Sequence, residues 1–87
     1  MFEVELSPEA SEFYGSTDKP LARKLARCFG QLEREPRRHN NIKRLSGKVF
    51  AGCLRFRIGD WRVIYRIDEQ ANRVYVLTIA HRREVYE

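Results

Sequence analysis

This chain of 87 residues contains little cysteine and no long apolar run. Its two cysteines, Cys28 and Cys53, have neither the spacing of a metal site nor the density of a disulfide framework, which predicts free thiols. No apolar stretch is long enough to span a bilayer. Residues 1–5 also lack the cationic lead and the apolar core of a secretory signal. We therefore expect a cytoplasmic protein with no membrane partner.

Linkers, internal repeats and low-complexity segments are missing as well. A chain of 87 residues has no room for a second core. The sequence is 43% hydrophobic and 33% charged, and its charges are interleaved with apolar positions, which is not typical of disorder. We therefore expect one domain over residues 1–87.

Acidic residues are too few to balance the basic ones, and the net charge is +5. Residues 1–42 carry seven basic and seven acidic side chains, whereas residues 43–87 carry ten basic and five acidic. The excess therefore predicts a cationic surface in the second half of the chain and not a cationic tail. Such a surface favours nucleic acid or an acidic protein as partner. Composition alone is equally compatible with a solvated basic face.

The first half of the sequence predicts one strand and two helices. Apolar and acidic residues alternate over residues 2–6, as in a half-buried strand. Ser7 then provides a helix cap and Pro8 suits the first helical position, so a short helix begins there. A longer helix with an apolar stripe begins after Asp18 and ends before Pro36.

The second half predicts three antiparallel strands that follow a polar connection. This connection has a possible short strand or turn at residues 42–45. Gly59-Asp60 is a two-residue hairpin signal, and residues 68–72 form a looser turn. The run over residues 74–80 is apolar on both faces, as expected inside a sheet. The predicted fold is α+β in the order β-α-α-β-β-β, with an antiparallel sheet packed against a helical hairpin and a short C-terminal tail.

Arginines alternate with apolar residues in the first two of these strands. A period of two places the apolar residues on one side of each strand, and Arg55, Arg57, Arg62 and Arg66 on the other. The sequence thus predicts a sheet with one apolar and one cationic face. Guanidinium groups suit phosphate or carboxylate because their planar fork donates two parallel hydrogen bonds. Like charges on adjacent strands repel unless an anion lies among them, which favours anion binding.

Three segments resemble the toxins of the RelE/ParE superfamily, and the likeness is nearest to the RelE branch. They are residues 45–47 (LSG), residues 54–68 (LRFRIGDWRVIYRID) and residues 79–86 (IAHRREVY). The predicted order of elements is also the layout of that family, so the resemblance covers essentially the whole chain. It implies a bacterial or archaeal toxin of a type II toxin–antitoxin system.

The RelE resemblance implies an endoribonuclease that cuts messenger RNA in the ribosomal aminoacyl site without a metal or other cofactor. The ribose 2′-hydroxyl attacks the adjacent phosphate, the 5′-oxygen leaves and a cyclic phosphate remains. This reaction needs a base, cations for the charge on the phosphorane and a proton donor for the leaving oxygen. The ParE branch implies instead a non-nuclease inhibitor of DNA gyrase. A degenerate toxin that acts only in an autorepressor complex is the third alternative.

The resemblance also assigns roles to residues. Arg62 matches a phosphate-stabilising arginine, and Arg82 matches an arginine that acts as general acid or second charge stabiliser. Tyr86 matches a tyrosine that stacks on or orients the RNA base. Cys53 and Arg55 occupy positions where the best-known members have lysines. Since arginine is a poor base, the identity of the proton acceptor is open.

His81 is the substitute acceptor that the sequence suggests, because imidazole changes charge near neutral pH. Each assignment has a structural alternative: a solvated surface charge for the arginines, core packing for the tyrosine and a rim position for the histidine. The predicted catalytic residues are Arg62, Arg82, Tyr86 and His81, and the predicted RNA- or phosphate-binding residues are Arg55, Arg57, Arg66 and Arg83.

The resemblance further implies three partners. A cognate RelB-like antitoxin would lay a helix along the toxin and send a segment over the cationic face. The ribosome and its messenger RNA would be the target. The toxin–antitoxin complex is expected to bind its own operator DNA.

Overall fold

The fold comes from a computed structural model, which describes residues 1–85. Its elements are β1 (Glu3–Leu6), α1 (Pro8–Ser16), α2 (Lys19–Arg34), β2 (Ile42–Arg44), β3 (Leu54–Ile58), β4 (Trp61–Asp68), β5 (Arg73–His81) and a 3-10 turn (Arg82–Glu84). The predicted α+β class is confirmed, and the short strand left open at residues 42–45 is formed as β2. No helix in this described part is long and apolar enough to cross a membrane.

The strands form one sheet in the order β1-β5-β4-β3-β2. All neighbours are antiparallel except β1, which runs parallel to β5. The prediction of an antiparallel sheet therefore holds for β2 to β5 and needs a correction at the β1 edge. The two helices carry the chain from β1 to the far edge of the sheet, and the antiparallel strands return it to β1. A parallel pair requires such a long connection.

A side-chain cap begins each helix, from the predicted capping residue Ser7 and from Asp18, which belongs to the predicted start signal Thr17-Asp18. Ser7 and Asp18 each accept a hydrogen bond from the backbone N–H three residues later, at 3.0 and 2.9 Å. Pro8 takes the first position of α1, where its missing N–H has no intrahelical partner to lose. The longer helix ends two residues before Pro36, in agreement with the restriction that proline places on the residue before it.

The main core lies between the helices and one face of the sheet. Tyr65 at the centre of β4 is fully buried, and its hydroxyl donates a hydrogen bond to the Pro36 carbonyl oxygen at 2.7 Å. Burial raises the pKa of Tyr65 above its ordinary value, so the phenol stays protonated and keeps this bond. The other buried members are Ala10, Leu25, Cys28, Leu32, Phe56, Val63, Val74, Val76 and Ile79.

A bulge in β5 changes which of its residues face the helices. Ile64 pairs with Thr78, but Tyr65 pairs with Val76, so Leu77 is an extra residue on this strand. An extra residue reverses the alternation of side chains beyond it. The strand lies inside the sheet, between β1 and β4, as predicted, although Tyr75 is exposed. The reversal turns Ile79 toward the main core.

The opposite face of the sheet, which was predicted to be cationic, also carries a small apolar cluster. The loop between β2 and β3 and the segment after β5 contribute to this cluster, so it lies at the centre of that face. Its buried members are Leu45, Cys53, Ile64, Ala80 and Val85, with Phe50 and Leu77 packed against them.

Gly30 lies in the interior of α2, where glycine is less favourable than alanine by about 1 kcal/mol. A Cβ at this position would meet Arg34 Nη1 at 3.6 Å, an ordinary contact. We expect Gly30→Ala to raise the free energy of unfolding by roughly 0.5–1 kcal/mol, and Tm by about 4 °C, in thermal melts followed by circular dichroism. Gly59→Ala is the control and should lower Tm, because the φ of Gly59 is 56°. A lower Tm for Gly30→Ala would contradict this expectation.

Candidate functional site

The sheet surface that points away from the helices gathers basic side chains from several segments. Lys43 pairs with Arg55 across β2 and β3, and Arg57 pairs with Arg62 across β3 and β4. Directly paired residues project to the same side of a sheet. We call this surface the cationic face, and its members are Lys43, Arg55, Arg57, Arg62, Arg66 and Arg82.

Arg62 stands directly opposite Arg57, one residue from the ends of the hairpin strands. Side chains paired in this way have Cβ atoms about 4.5–5.5 Å apart. Arg62 Nη1 donates hydrogen bonds to the carbonyl oxygens of Gly59 at 2.8 Å and Trp61 at 3.0 Å. The turn therefore holds one guanidinium beside another, and an anion between them would relieve the repulsion.

Arg82 reaches the same end of the sheet from β5. Its backbone N–H donates to the Asp60 carbonyl oxygen at 2.7 Å, and its Nε lies 3.5 Å from Asp60 Oδ1. Ala80, two residues earlier, is the strand partner of Arg62. Both side chains of the Arg82 ion pair are about 60% exposed, so the pair is weak and the carboxylate can give way to a phosphate.

Arg55 is only 9% exposed, and its Nη1 donates a hydrogen bond to the Asn41 carbonyl oxygen at 2.5 Å. This predicted phosphate-binding residue is thus engaged with the backbone beneath the surface. Lys43, its strand partner, is exposed. Sequence reasoning missed this lysine, although the alternation across the short strand contained the signal. Lys43 thus supplies a lysine to the cationic face. The two positions at which the RelE resemblance expects lysines are occupied by Cys53 and Arg55.

His81 lies on the helix side of the sheet. Its ring contacts the Trp61 ring edge-on, with centroids 5.3 Å apart at 84°, and Trp61 in turn contacts Phe13 of α1. His81 Nδ1 accepts a hydrogen bond from the Arg83 backbone N–H at 3.3 Å, and the Glu84 carboxylate accepts one from the His81 backbone N–H. The imidazole thus caps the final turn, and it does not share a face with Arg62.

The other predicted residues lie apart from Arg57, Arg62 and Arg82. Arg66 is exposed and pairs with Tyr75, about 13 Å along the strand from Arg62 at the usual rise per residue. Arg83 is exposed in the final turn. Tyr86 lies outside the described residues. The structure therefore brings together Arg57, Arg62 and Arg82, which we call the arginine cluster.

The cysteines lie inside the two apolar clusters. Cys53 is fully buried beneath the cationic face, and Cys28 is 2% exposed in the main core. Burial raises the pKa of the Cys28 thiol to about 12, which keeps it protonated and unreactive at neutral pH. Both thiols are free, as predicted. Within residues 1–85, no group of three His, Cys, Asp or Glu side chains is arranged to hold a metal ion.

Comparison with known proteins finds toxins over nearly the whole length of the chain. A family model described as "ParE toxin of type II toxin-antitoxin system, parDE" matches residues 4–86. Toxin RelG of Mycobacterium tuberculosis is 36% identical over 66 residues, a match that covers 76% of this chain and 72% of that protein.

Solved structures show the same fold. The toxin–antitoxin complex RelBE2 from Mycobacterium tuberculosis matches with a TM-score of 0.74 and 30% identity over 92% of this chain and 96% of that chain. The archaeal RelE-RelB complex from Pyrococcus horikoshii OT3 matches with a TM-score of 0.80 and 23% identity over 97% and 98%. The isolated E. coli RelE toxin matches with a TM-score of 0.77 and 14% identity over 93% and 84%. The last two likenesses concern the fold alone.

Proposed function

The chain belongs to the ParE toxin family of type II toxin–antitoxin systems, within the RelE/ParE superfamily, and from this premise we propose that it is a ribosome-dependent endoribonuclease. It cuts messenger RNA in the aminoacyl site and so inhibits translation. The observation that supports this activity is the arginine cluster, in which Arg57 and Arg62 are strand partners and Arg82 lies beside Asp60 in the turn that joins their strands. A phosphorane intermediate carries the charge that such a cluster suits.

In the proposed reaction the arginine cluster binds the scissile phosphate without a metal. The ribose 2′-hydroxyl gives up its proton and attacks phosphorus, the bond from phosphorus to the 5′-oxygen breaks, and that oxygen takes a proton. Arg57 and Arg62 neutralise the charge on the non-bridging oxygens. Arg82, on the rim of the cluster, stabilises or protonates the leaving oxygen. The ring of Tyr86 remains the proposed surface on which an RNA base stacks.

The proton acceptor is the one role that the arginine cluster does not fill. His81 is still the proposed acceptor, and it lies one residue before Arg82 at the same end of β5. To reach the cationic face, its ring must leave the contact with Trp61 and the hydrogen bond to the Arg83 backbone N–H. A His81→Ala variant that cuts as fast as wild type would remove this assignment.

The experiment for the proposed function is a reconstituted translation reaction followed by primer extension on the message. Purified protein should create new 5′ ends inside ribosome-bound codons, and the same message without ribosomes should stay intact. Intact message on the ribosome, at protein concentrations that stop growth in cells, would contradict the proposal.

Gyrase inhibition is the second candidate function, and two observations favour it. The family model that matches is the ParE toxin model, and Cys53 and Arg55 occupy the lysine positions of the RelE branch. A supercoiling assay with the same purified protein separates the two functions, since loss of supercoiling with an intact message would support gyrase. A toxin that serves only in an autorepressor complex should leave growth unchanged when it is overexpressed.

A RelB-like cognate antitoxin is the proposed partner, because the related RelBE2 toxin was solved as a toxin–antitoxin complex. Its acidic segment would cover the cationic face, and the toxin–antitoxin complex would bind operator DNA. A cytoplasmic location follows from this function, because ribosomes and messenger RNA are there. Binding of the antitoxin should weaken as salt rises, and a dissociation constant independent of ionic strength would count against charge pairing.

A further inference from the structure

A second basic surface lies in a cleft between α2 and β3, on the helix side of the sheet. The cleft has a volume of about 620 Å³, and Cys28, Phe56 and Ile58 contribute apolar walls. Its basic lining residues are Lys24, Arg27 and Arg34 from the helix and Arg57 from the strand. We call these four residues and the space between them the basic cleft.

The helical lining residues lie on one side of α2. At 100° per residue, Lys24, Arg27 and Arg34 fall within an arc of about 80°. Lys24 and Arg27 are three residues apart, so they are neighbours on this side of the helix. Like charges on neighbouring positions of a helix destabilise it. Stability of the helix therefore does not account for this concentration of charge, and an anionic ligand would.

Carboxylates do not neutralise the basic cleft. Within residues 1–85, no Asp or Glu lines it, and none of its four basic side chains lies within 4.0 Å of a carboxylate oxygen. Acidic side chains lie instead on β1, where Glu3 and Glu5 pair with Arg73 at 3.7 and 3.5 Å. The molecule is thus polarised, with the sheet edge formed by β1 acidic and the cleft basic.

Arg57 joins the basic cleft to the arginine cluster. β2 pairs with Leu54, Arg55 and Phe56, and at Arg57 only Asn41 continues along the edge of β3, where its carbonyl oxygen accepts from the Arg57 N–H at 2.9 Å and its Nδ2 donates to the Arg57 carbonyl oxygen at 3.1 Å. Arg57 also pairs with Arg62 and borders the cleft. A phosphodiester backbone that binds the cationic face can therefore continue past Arg57 into the cleft and contact basic side chains along the whole path.

We propose that the basic cleft binds the phosphodiester backbone of a nucleic acid, as a continuation of the cationic face through Arg57, which borders both surfaces. Arginine forks and a lysine in an open cleft suit phosphate oxygens of successive nucleotides. The choice of nucleic acid rests on the proposed function. The phosphodiester can belong to the messenger strand beside the cut codon or to a structured RNA duplex, and both have the same binding chemistry.

The test compares two double variants of α2 that lose the same two charges. Lys24→Gln/Arg27→Gln removes charge from the basic cleft. Lys19→Gln/Arg23→Gln removes it from the adjacent side of the helix, toward α1, and serves as the matched control. Binding of a fluorescein-labelled single-stranded RNA and of a labelled RNA hairpin is measured by anisotropy over a range of salt concentrations. Equal thermal stability of the two variants is the condition for the comparison.

We expect the cleft variant to lose about tenfold in affinity at low salt. The slope of log K against log salt should fall by about 1.4 for single-stranded RNA, as for two lost phosphate contacts. The control should stay within about twofold of wild type, since only its general charge is changed. A loss confined to single-stranded RNA identifies the messenger strand as the source, and a loss confined to the hairpin identifies structured RNA. Equal losses in both variants, or no loss in either, would overturn the proposal.

Two further readouts separate this inference from its alternatives. Poly-glutamate affinity that falls in the cleft variant while RNA affinity is kept would overturn the proposal in favour of an acidic protein segment. In the ribosome assay, the cleft variant should raise KM and leave kcat unchanged, because neither Lys24 nor Arg27 belongs to the arginine cluster that binds the scissile phosphate. The binding measurements need no cleavage. Absence of cleavage would therefore contradict the proposed function without deciding whether the basic cleft binds RNA.

Discussion

Arg62→Ala is expected to reduce the rate of ribosome-dependent messenger RNA cleavage by about 100-fold to 1000-fold, the range found when one charge-stabilising donor is removed. The physical reason is the position of Arg62 in the arginine cluster. The hairpin turn holds its guanidinium through two carbonyl oxygens, and Arg57 lies directly opposite. The donor is therefore oriented before the substrate arrives, and its removal should lower kcat. Single-turnover cleavage of a ribosome-bound message measures this loss.

Two other variants make the comparison specific. Arg62→Lys should cut at an intermediate rate, because lysine keeps the charge and loses the planar fork. Arg73→Ala is the control, since Arg73 is an exposed arginine of the same sheet that pairs with Glu3 and Glu5 at the β1 edge. The cleavage rate of Arg73→Ala should stay within about twofold of the wild-type rate. Wild-type cleavage by Arg62→Ala, or an equal loss in Arg73→Ala, would remove the arginine cluster from the mechanism.

Leu32→Ala is expected to lower the free energy of unfolding by about 2–5 kcal/mol, the effect of opening a cavity in a packed core. Leu32 lies on α2, is fully buried and packs in the main core against the sheet. A small domain has only about 5–15 kcal/mol of stability in total, so this single truncation should remove a large share of it. Urea unfolding, with the m-value compared to wild type, measures the change.

Leu21→Ala is the matched control for that substitution. Leu21 lies on the same helix and is only partly buried at the edge of the main core, so its truncation should lower the stability by less than about 2 kcal/mol. If both variants lost the same amount, the packing of α2 on the sheet would not be the main source of stability. A loss below about 1 kcal/mol for Leu32→Ala would lead to the same conclusion.

Local signals predicted the parts of the fold that local chemistry determines. Ser7 and Asp18 begin the helices because their side chains satisfy backbone N–H groups three residues away, a pattern visible in any sequence. The Gly59-Asp60 turn determines the register of β3 and β4, and this register is what places Arg57 opposite Arg62. Two of the three members of the arginine cluster were thus predictable from one hairpin.

Distant pairings account for what the sequence did not show. The extra residue at Leu77 reverses the alternation in β5, and no local signal marks it. Because of this reversal, His81 lies on the helix side of the sheet and contacts Trp61. Regular alternation along β5 would place it on the opposite side. Lys43 joins the cationic face only because β2 pairs with β3. The parallel pairing of β1 with β5 likewise depends on residues about 70 positions apart in sequence.

The basic cleft could not be predicted from the sequence, for a related reason. Residues 1–42 have equal numbers of basic and acidic side chains, so the first half of the chain looks neutral in sequence. The fold separates these charges, because α2 turns its basic side toward β3 while Glu3 and Glu5 lie on β1 with Arg73. Net charge by segment therefore underestimates a surface that tertiary structure assembles.

The chemistry of the cut ends is the measurement that tests the proposed function most directly. Message cut on the ribosome by the wild-type protein is analysed for the groups at the new 5′ and 3′ ends. Attack by the 2′-hydroxyl within the arginine cluster predicts a 5′-hydroxyl on one fragment and a 2′,3′-cyclic phosphate on the other, inside a ribosome-bound codon. A 5′-phosphate with a 3′-hydroxyl, which requires water as the nucleophile, would contradict it, as would an intact message together with inhibited gyrase.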